Sequence, residues 1–257
     1  MNILFTVCGR AGSKGLKNKN LKKMNGVPLC YYTLAAIRLY QKKHPEHEVH
    51  VALNTDSPDM EKQFLRQSIP GRSHVVKRKE SLAGDRVAKV DVIQDTYRAV
   101  KAEGIPVDIV VDLDNTSPMR RVTDIEQAIA VSTNGEHYDV VYSVVPSRRS
   151  PYFNMVEQKA DGSIQQVCAS NFTARQQAPA VYEMNASIYA YSTKFLDGAI
   201  EKGLLEYHDN IIIMPDYLVL DIDSEEDFIM MQEMMNLFSK QDEGLREVLE
   251  EAQGYSC

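Results

Sequence analysis

The sequence predicts an α/β fold: a doubly wound, mainly parallel sheet with one protruding arm. Short apolar runs typical of buried strands alternate with segments of helical periodicity along most of the 257 residues. Polar loops follow several of these runs, as ligand-binding loops do at the carboxyl edge of a parallel sheet. Residues 146–180 break the alternation, because they are polar and carry two short strand-like pieces. We find no internal repeat or low-complexity linker, so residues 1–238 are predicted to form a single domain with an inserted arm.

A first apolar strand, Ile3 to Val7, leads directly into a loop that carries Gly9, Gly12 and Gly15. Glycines let a backbone turn tightly and expose its N–H groups. The loop also carries cationic and neutral donors, namely Arg10, Ser13, Lys14, Lys17, Asn18, Lys19 and Asn20. Its spacing matches neither the P-loop nor the dinucleotide-binding motif. A triphosphate site and an ordinary solvated basic loop both fit this composition.

The later elements are predicted from helical periodicity, capping residues and apolar runs. In the first half they are a helix from Pro28 to about Lys42, a strand from Val49 to Leu53, a helix capped by Ser57 that buries Met60, Phe64 and Leu65, a strand around His74 to Val76, a helix from Val87 to Glu103 and a strand from Ile109 to Leu113. The second half is predicted to begin with a helix capped by Thr123 that runs to Ser132, a strand from Tyr138 to Val145 and a hairpin turning at Asp161-Gly162. A strand from Ile188 to Tyr191, a helix from Thr193 to Lys202 and two strands at Ile211 to Met214 and Tyr217 to Leu220 follow. The last predicted elements are a helix that begins at Ser224 and includes a Met-rich core segment, and an acidic tail at 239–257.

Two Asp-x-Asp pairs follow apolar runs, Asp112 with Asp114 and Asp221 with Asp223. Because side chains alternate along a strand, each pair points to one face near a strand end. Two carboxylates there are hard oxygen ligands that suit the Mg²⁺ carried by a nucleotide. Acidic residues at a helix start have a second explanation in the helix dipole, which fits residues 225–227 better than the strand-end pair.

Charge and composition exclude several classes of function. The net charge of −7 argues against a general nucleic-acid binder, although residues 1–45 carry nine Lys or Arg and neither Asp nor Glu. This distribution suits a small anionic ligand. The sequence contains no run of about 18 apolar residues, the length that a membrane-spanning helix needs. It also shows no recognisable signal peptide. The four cysteines and six histidines show neither disulfide nor metal-ligand spacing, so we expect free thiols, a cytoplasmic location and no zinc site.

The segment Arg10-Ala11-Gly12-Ser13-Lys14-Gly15, followed by Lys19-Asn20-Leu21, resembles the N-terminal signature of the CMP-sugar-acid synthetases. These cytidylyltransferases activate sialic acid and related 3-deoxy-2-keto sugar acids. Further segments resemble the family in the expected order: Arg78 with Leu82, Ala83 and Asp85, then Thr116-Ser117-Pro118, Arg175-Gln176, Asn185 and Ile188-Tyr189. In the segment that begins at Arg78, Lys79 replaces a proline of the family's motif. An ordinary charged loop is the alternative interpretation of this segment. The resemblance covers most of residues 1–238 and implies a nucleotide-diphospho-sugar transferase-like fold.

The resemblance also implies roles for individual residues. The nucleotide would contact Gly9, Arg10, Ala11, Gly12, Ser13, Lys14, Asn20, Arg78 and Ala83. Arg10, Lys19, Asp221 and Asp223 would act in catalysis, the two aspartates as ligands of Mg²⁺. The sugar acid would contact Asp114, Thr116, Ser117, Arg148, Arg149, Tyr152, Arg175, Gln176 and Asn185. Guanidinium groups pair well with carboxylates, but Arg148 and Arg149 also fit a solvated surface pair.

The implied reaction joins CTP to a nonulosonic acid, giving the CMP-sugar and pyrophosphate. Ionised Asp221 or a metal-activated hydroxyl would supply the base, and the arm at 146–180 would form a homodimer. Asp114 stands where the sialic acid enzymes carry glutamine, and Asn115 replaces proline, which resembles the subgroup acting on legionaminic acid. Ala186 and Ser187 also depart from the family's Gly-Ala. The alternatives are another sugar acid, such as the eight-carbon acid of lipopolysaccharide, and a non-catalytic nucleotide-binding module.

Overall fold

A seven-stranded sheet forms the centre of the protein, seen in a computed structural model that describes residues 1–12, 15–16, 18–84 and 86–255. The strands are β1 (Asn2–Gly9), β2 (Lys23–Met24), β3 (Val27–Pro28), β4 (Glu48–Thr55), β5 (Ser73–Lys77), β6 (Ile109–Leu113), β7 (Val140–Pro146), β8 (Val156–Gln158), β9 (Ile164–Gln166), β10 (Tyr182–Ser192) and β11 (Asp209–Ile213). The order in the main sheet is β11-β7-β10-β6-β1-β4-β5. All neighbours are parallel except β10, which runs antiparallel to both β6 and β7. The predicted mainly parallel sheet is confirmed.

Helices cover both faces of this sheet. They are α1 (Leu29–Lys43), α2 (Pro58–Arg66), α3 (Lys89–Ala102), α4 (Val122–Ser132), α5 (Thr193–Asp197), α6 (Glu225–Phe238) and α7 (Glu243–Gln253). Along β1, Ile3, Phe5 and Val7 belong to the core shared with α1, α4, α6 and α7, whereas Leu4 packs into the core shared with α3 and α5. This alternation is the two-residue period of a strand buried on both faces. The predicted doubly wound architecture is confirmed.

Several predicted element ends are correct and others need correction. Ser57 caps α2 and Ser224 caps α6, as expected. Leu65 on α2 is exposed, and α4 begins at Val122 with Arg121 as its N-cap, two residues before the predicted cap Thr123. The helix predicted to reach Lys202 ends at Asp197, before Gly198. Glycine is a poor helix former, which fits this early end.

The apolar run from Tyr217 to Leu220 is not a strand. A 3₁₀ turn occupies Asp216–Leu218, and the chain to Asp223 has no regular structure. Tyr217 stacks on Phe238 of α6 with ring centroids 4.2 Å apart, and its hydroxyl donates to Asp242 at 2.6 Å. Packing against a helix therefore explains the apolar pattern that resembles a strand.

The acidic C-terminal segment forms helix α7, which packs on α1 and buries Leu245, Val248 and Ala252. Ion pairs join the two helices: Arg38 and Lys42 with Glu251, and Lys43 with Glu247. The segment is thus part of the packed domain, and it neutralises part of the basic N-terminal third.

The arm contains the predicted hairpin, β8 paired with β9 around Asp161-Gly162. Gly162 has a φ of +85°, a conformation that glycine adopts without strain. Exposed large apolar side chains concentrate on the arm and the start of β10, namely Phe153, Met155, Val156, Ile164, Val167, Phe172, Tyr182 and Met184. None of the helices in the described ranges is long and apolar enough to cross a membrane.

Candidate active site

A cleft of about 310 Å³ opens at the carboxyl ends of β1, β4, β5 and β6. It is lined by Cys8, Gly9, Arg10, Lys19, Asn20, Arg78, Leu82, Gly84, Val87, Lys89, Val92, Asp114, Thr116 and Asp221. Segments far apart in the chain thus meet at one edge of the sheet. The predicted residues that line this cleft are Gly9, Arg10, Lys19, Asn20, Arg78, Asp114, Thr116 and Asp221. Ser13 and Lys14 lie outside the described residues.

Close packing explains two glycines of the loop after β1. A Cβ atom on Gly9 would lie 2.3 Å from the sulfur of Met60, and one on Gly15 would lie 2.1 Å from the carbonyl oxygen of Asp223. The N–H of Ala11 donates to Asp56 at 2.7 Å, so the chain itself uses this donor. Any side chain at Gly15 would push the loop away from Asp223.

Lys19 connects the glycine loop to the second acidic pair. Its Nζ donates to the carbonyl oxygen of Ile222 at 2.5 Å and to Asp223 Oδ1 at 3.1 Å. Ile222 is fully buried, whereas the Asp223 side chain is 80% exposed. The N–H of Ile222 donates to Thr116 O at 2.9 Å, which attaches this segment to the loop after β6.

Asp221 places a buried carboxylate oxygen at the cleft. Its Oδ1 is buried and has no hydrogen-bond donor among the residues that the structure describes. Burial raises the pKa of this carboxyl group, and the nearby carboxylate of Asp114 raises it further. An unpaired, buried carboxylate oxygen beside a second carboxylate is unfavourable without a cation. The donor set at Asp221 and Asp223 therefore fits Mg²⁺.

Lys89, which the sequence analysis did not select, binds the first acidic pair. Its Nζ lies 2.6 Å from Asp112 Oδ2 and 2.5 Å from Asp114 Oδ2. Thr6 donates to Asp112, and the N–H and hydroxyl of Thr116 donate to Asp114 Oδ1 at 3.0 and 2.9 Å. The pair is thus held in place from several sides.

The charges of this cluster are fixed by their mutual contacts. Burial opposes ionisation of Asp114, but the Lys89 ammonium and the Thr116 donors outweigh it and lower the pKa of Asp114 to about 2. Burial likewise opposes the charge on Lys89, yet Asp112 and Asp114 raise its pKa well above the ordinary value. One signal of Lys89 was present in the sequence. A lysine at the first position of a helix opposes the helix dipole unless carboxylates compensate it.

Two arginines shape the rim of the cleft. Arg78 donates from Nε to Asn54 Oδ1 at 2.9 Å and from Nη2 to Asn54 O at 3.1 Å. Arg10 donates from Nη1 to Ala83 O at 3.4 Å. The two guanidinium groups belong to separate loops, and both lie on the cleft wall, where they can meet an anionic ligand.

Two residues predicted to contact the sugar are turned into the protein instead. Ser117 and Asn185 are 2% and 1% exposed, and Ser117 Oγ donates to Asn185 O at 2.9 Å. The Asn185 amide donates to Leu218 O at 2.9 Å and accepts from Ser143 Oγ at 2.6 Å. With their polar atoms used internally, both residues hold the loops around the cleft rather than line it.

The remaining predicted sugar contacts lie on or beside the arm. None of these residues belongs to the cleft lining: Arg148, Arg149, Tyr152, Arg175 and Gln176. Arg148 pairs with Asp216 at 2.9 Å, and Arg175 Nη2 donates to Ser147 O at 2.5 Å. Within one chain the structure does not bring the arm residues to Asp114 and Asp221.

Comparison with known proteins gives matches along nearly the whole chain. A family model described as Cytidylyltransferase matches residues 4–246. The post-translational flagellin modification protein B of Campylobacter coli is 35% identical over 227 residues, covering 88% of this chain and 92% of that protein. The CMP-N,N'-diacetyllegionaminic acid synthase of Campylobacter jejuni is 32% identical over 236 residues, covering 91% and 95%.

One solved structure shares the fold at low sequence identity. The CMP:2-keto-3-deoxy-manno-octonic acid synthetase complexed with CTP aligns with a TM-score of 0.65 at 13% identity, covering 92% of this chain and 99% of that chain. At this identity the likeness concerns the fold alone.

Proposed function

The chain belongs to the cytidylyltransferase family, and on that premise we propose that it joins CTP to a nonulosonic, sialic-acid-like sugar acid. The products are the CMP-sugar and pyrophosphate. The single observation that supports a catalytic cleft best is the buried, unpaired oxygen of Asp221 beside a cationic rim. A site that only bound the nucleotide would not require an unneutralised carboxylate there.

We propose that Asp221 and Asp223 hold Mg²⁺, which would neutralise charge at the α-phosphate when bound. Lys19 contacts Asp223 and the backbone beside it, and so it orients this carboxylate toward the glycine loop. Arg10 and Arg78 lie on the cleft wall, where they would bind phosphate oxygens and balance the charge of departing pyrophosphate. Ser13 and Lys14 would extend the phosphate site.

A legionaminic-type sugar acid is the proposed acceptor. Two observations support it: the named Campylobacter jejuni relative and the aspartate at position 114. Ionised Asp114 is an acceptor only, so with Lys89 it would offer a sugar hydroxyl or amide an acceptor beside a donor. A glutamine supplies both functions from one side chain, without a charge.

The arm supports a second proposal, a homodimer in which each arm reaches the partner's site. Arg148, Arg149, Tyr152, Arg175 and Gln176 would then approach the sugar acid of the other subunit.

We also propose a cytoplasmic location, supported by the free thiols of Cys8, Cys30 and Cys168.

Pyrophosphate release with CTP, Mg²⁺ and a panel of sugar acids tests the reaction. The panel holds sialic acid, its deaminated analogue, legionaminic acid, pseudaminic acid and the eight-carbon acid. We expect release with the legionaminic-type acid. Pyrophosphate release with only the eight-carbon acid would contradict the proposed legionaminic-type acceptor. CTP binding without pyrophosphate release with any acid would contradict the proposed enzymatic function and favour a nucleotide-binding module.

Asp223→Ala tests the metal assignment. We expect turnover to be lost at ordinary Mg²⁺ while the unfolding midpoint stays close to that of the parent, because the side chain is largely exposed. Glu226→Gln, an exposed change in the first turn of α6, serves as the matched control and should retain full turnover. Near-normal release by Asp223→Ala would remove the assignment.

A further inference from the structure

A second group of potential metal ligands lies at the amino ends of the strands, at the opposite end of the sheet from the cleft. His44, Glu46 and His47 form the connection between the end of α1 and the start of β4. The adjacent Glu48 N–H donates to Met1 O, which places the group beside the amino ends of β4 and β1. Nothing in the proposed reaction uses these residues.

The three side chains bring their donor atoms close together. His44 Nδ1 lies 3.2 Å and His47 Nε2 lies 3.7 Å from Glu46 Oε1, and the three ligand atoms are all within 4.8 Å of one another. With metal–ligand distances of about 2.0–2.2 Å, a tetrahedral ion separates its ligands by about 3.3–3.5 Å. The two histidine–glutamate separations lie close to that range, whereas the two histidine nitrogens, which lie within 4.8 Å of each other, would have to approach on binding.

Both imidazole rings are held through their remaining nitrogens. His44 Nε2 lies 2.8 Å from Glu126 Oε1 of α4, and His47 Nδ1 lies 2.8 Å from the hydroxyl of Tyr40. The planes of the His44 and His47 rings lie 12° from parallel with their centroids 5.4 Å apart, and Tyr40 stacks on His44. Metal-binding histidines characteristically have such an outer partner, which fixes the tautomer and the ring orientation.

The charges around His44 favour a cation at this point. A neutral imidazole has one N–H, but carboxylate oxygens lie at both nitrogens of His44. If Nε2 donates to Glu126, the lone pair of Nδ1 faces the Glu46 carboxylate. A metal ion between Nδ1 and Glu46 removes this repulsion.

We propose that His44, Glu46 and His47 bind a divalent transition-metal cation, with Zn²⁺ as the reference ion and water in the fourth position. Two imidazole nitrogens and one carboxylate oxygen suit Zn²⁺, Co²⁺ or Ni²⁺ better than Mg²⁺, which prefers oxygen ligands. Through Glu126 the ion would attach the end of α1 to α4. The expectation that the histidines form no ligand-spaced cluster was wrong, because His44 and His47 stand three residues apart around Glu46.

Metal titration of the tag-free, chelator-treated full chain tests the site. Zn²⁺ is titrated by calorimetry in excess Mg²⁺, and Co²⁺ is followed by the intense visible absorption of a four-coordinate ion. We expect one tight equivalent per chain and a rise in melting temperature on Zn²⁺ addition. No readout depends on catalysis, so the proposed reaction and this site can fail independently.

Variants assign the binding to these residues. Glu46→Gln changes a largely exposed side chain and should abolish the Co²⁺ absorption without unfolding the protein. His47→Gln should do the same, and Glu126→Ala should weaken Zn²⁺ binding about tenfold, as loss of an outer partner does. His208→Gln and Asp223→Ala are the controls and should bind as the parent does. Unchanged Zn²⁺ binding by Glu46→Gln and His47→Gln, or no tight equivalent in the parent, would overturn the proposal.

Discussion

Lys89 determines the electrostatics of the cleft floor. Its ammonium group contacts Asp112, which has no exposed surface, and Asp114 at the cleft wall. Two carboxylates around one ammonium leave a net negative charge, and Asp221 adds a third carboxylate whose pKa is raised. The floor is therefore anionic and suits a divalent cation, whereas the rim is cationic and suits phosphates.

Replacing Lys89 by methionine should destabilise the fold, because it leaves two carboxylates without their cation. We expect a loss of about 2 kcal/mol, below the roughly 3–5 kcal/mol of a fully buried pair, since a third of the Lys89 side chain is exposed and solvent screens it. Urea unfolding measures the change. Lys101→Met on the same helix removes an exposed pair with Asp197 and should cost less stability than Lys89→Met. Equal losses in the two variants would contradict the role of Lys89.

The same contact predicts a pH dependence. The pKa of Asp114 is lowered from 3.8 to about 2 in the folded chain, so its stabilising contribution is complete above pH 3.8 and is lost as the pH falls toward 2. The parent should therefore lose stability in this acid window more steeply than Asp114→Asn. Unfolding midpoints measured from pH 5 to about 2 compare the two chains, and parallel curves would exclude the contribution.

The position of the first acidic pair could be predicted from the sequence, but its partners could not. A strand period of two places Asp112 and Asp114 on one side without any tertiary information. Lys89 lies 25 residues from Asp114, and only the packing of α3 brings the two together. The burial of Ser117 and Asn185 could not be predicted for the same reason, since it depends on neighbours distant in the chain.

At the scale of elements, apolar runs predicted strands where the run entered the sheet. Ile109 to Leu113 was predicted with its exact ends, because every residue of β6 is buried. Tyr217 to Leu220 has a similar composition but packs on α6, and no local pattern separates these two environments. Helix caps were predictable where one side chain suffices, as at Ser57 and Ser224.

Ala186 provides a test at the level of one strand. It has a φ of +53° at the register shift of β10, between Met184 and Tyr189, where the family's motif carries glycine. A left-handed conformation destabilises a residue with a Cβ by about 1–2 kcal/mol. Replacing that residue by glycine removes the strain, but glycine gives the unfolded chain more conformational entropy, which offsets part of the gain. Ala186→Gly should therefore stabilise the protein by about 0.5–1 kcal/mol in urea unfolding.

Ala190 in the same strand gives the matched comparison. It is fully buried and lies in the regular part of the pairing with β7 and β6. Ala190→Gly should destabilise by at least about 0.5–1 kcal/mol, because a strand interior gains nothing from glycine. A loss of stability in both variants would mean that Ala186 is not strained.

At the scale of the whole molecule, the charge asymmetry of the sequence is largely an internal pairing. Cations of the N-terminal third contact acids of the C-terminal third in three places: Lys19 with Asp223, Lys22 with Glu225, and α1 with α7. The sequence showed both charge blocks, but nothing in it paired α1 with α7. Fewer of the cations in residues 1–45 are therefore left for an anionic ligand than their number suggested.

The arm gives the prediction that concerns the assembly. Val156 and Ile164 are 66% and 61% exposed on the hairpin, and clustered apolar surface of this kind marks an interaction site. We expect a dimer in light scattering of the parent chain, and monomers from the double variant Val156→Asp with Ile164→Asp, because burying charges opposes association. Pyrophosphate release should fall with dimer content, since each arm would complete its partner's site. Ile229→Asp, an exposed apolar residue on α6, should stay dimeric and active. A monomeric parent, or a dimeric double variant, would exclude the arm as the interface.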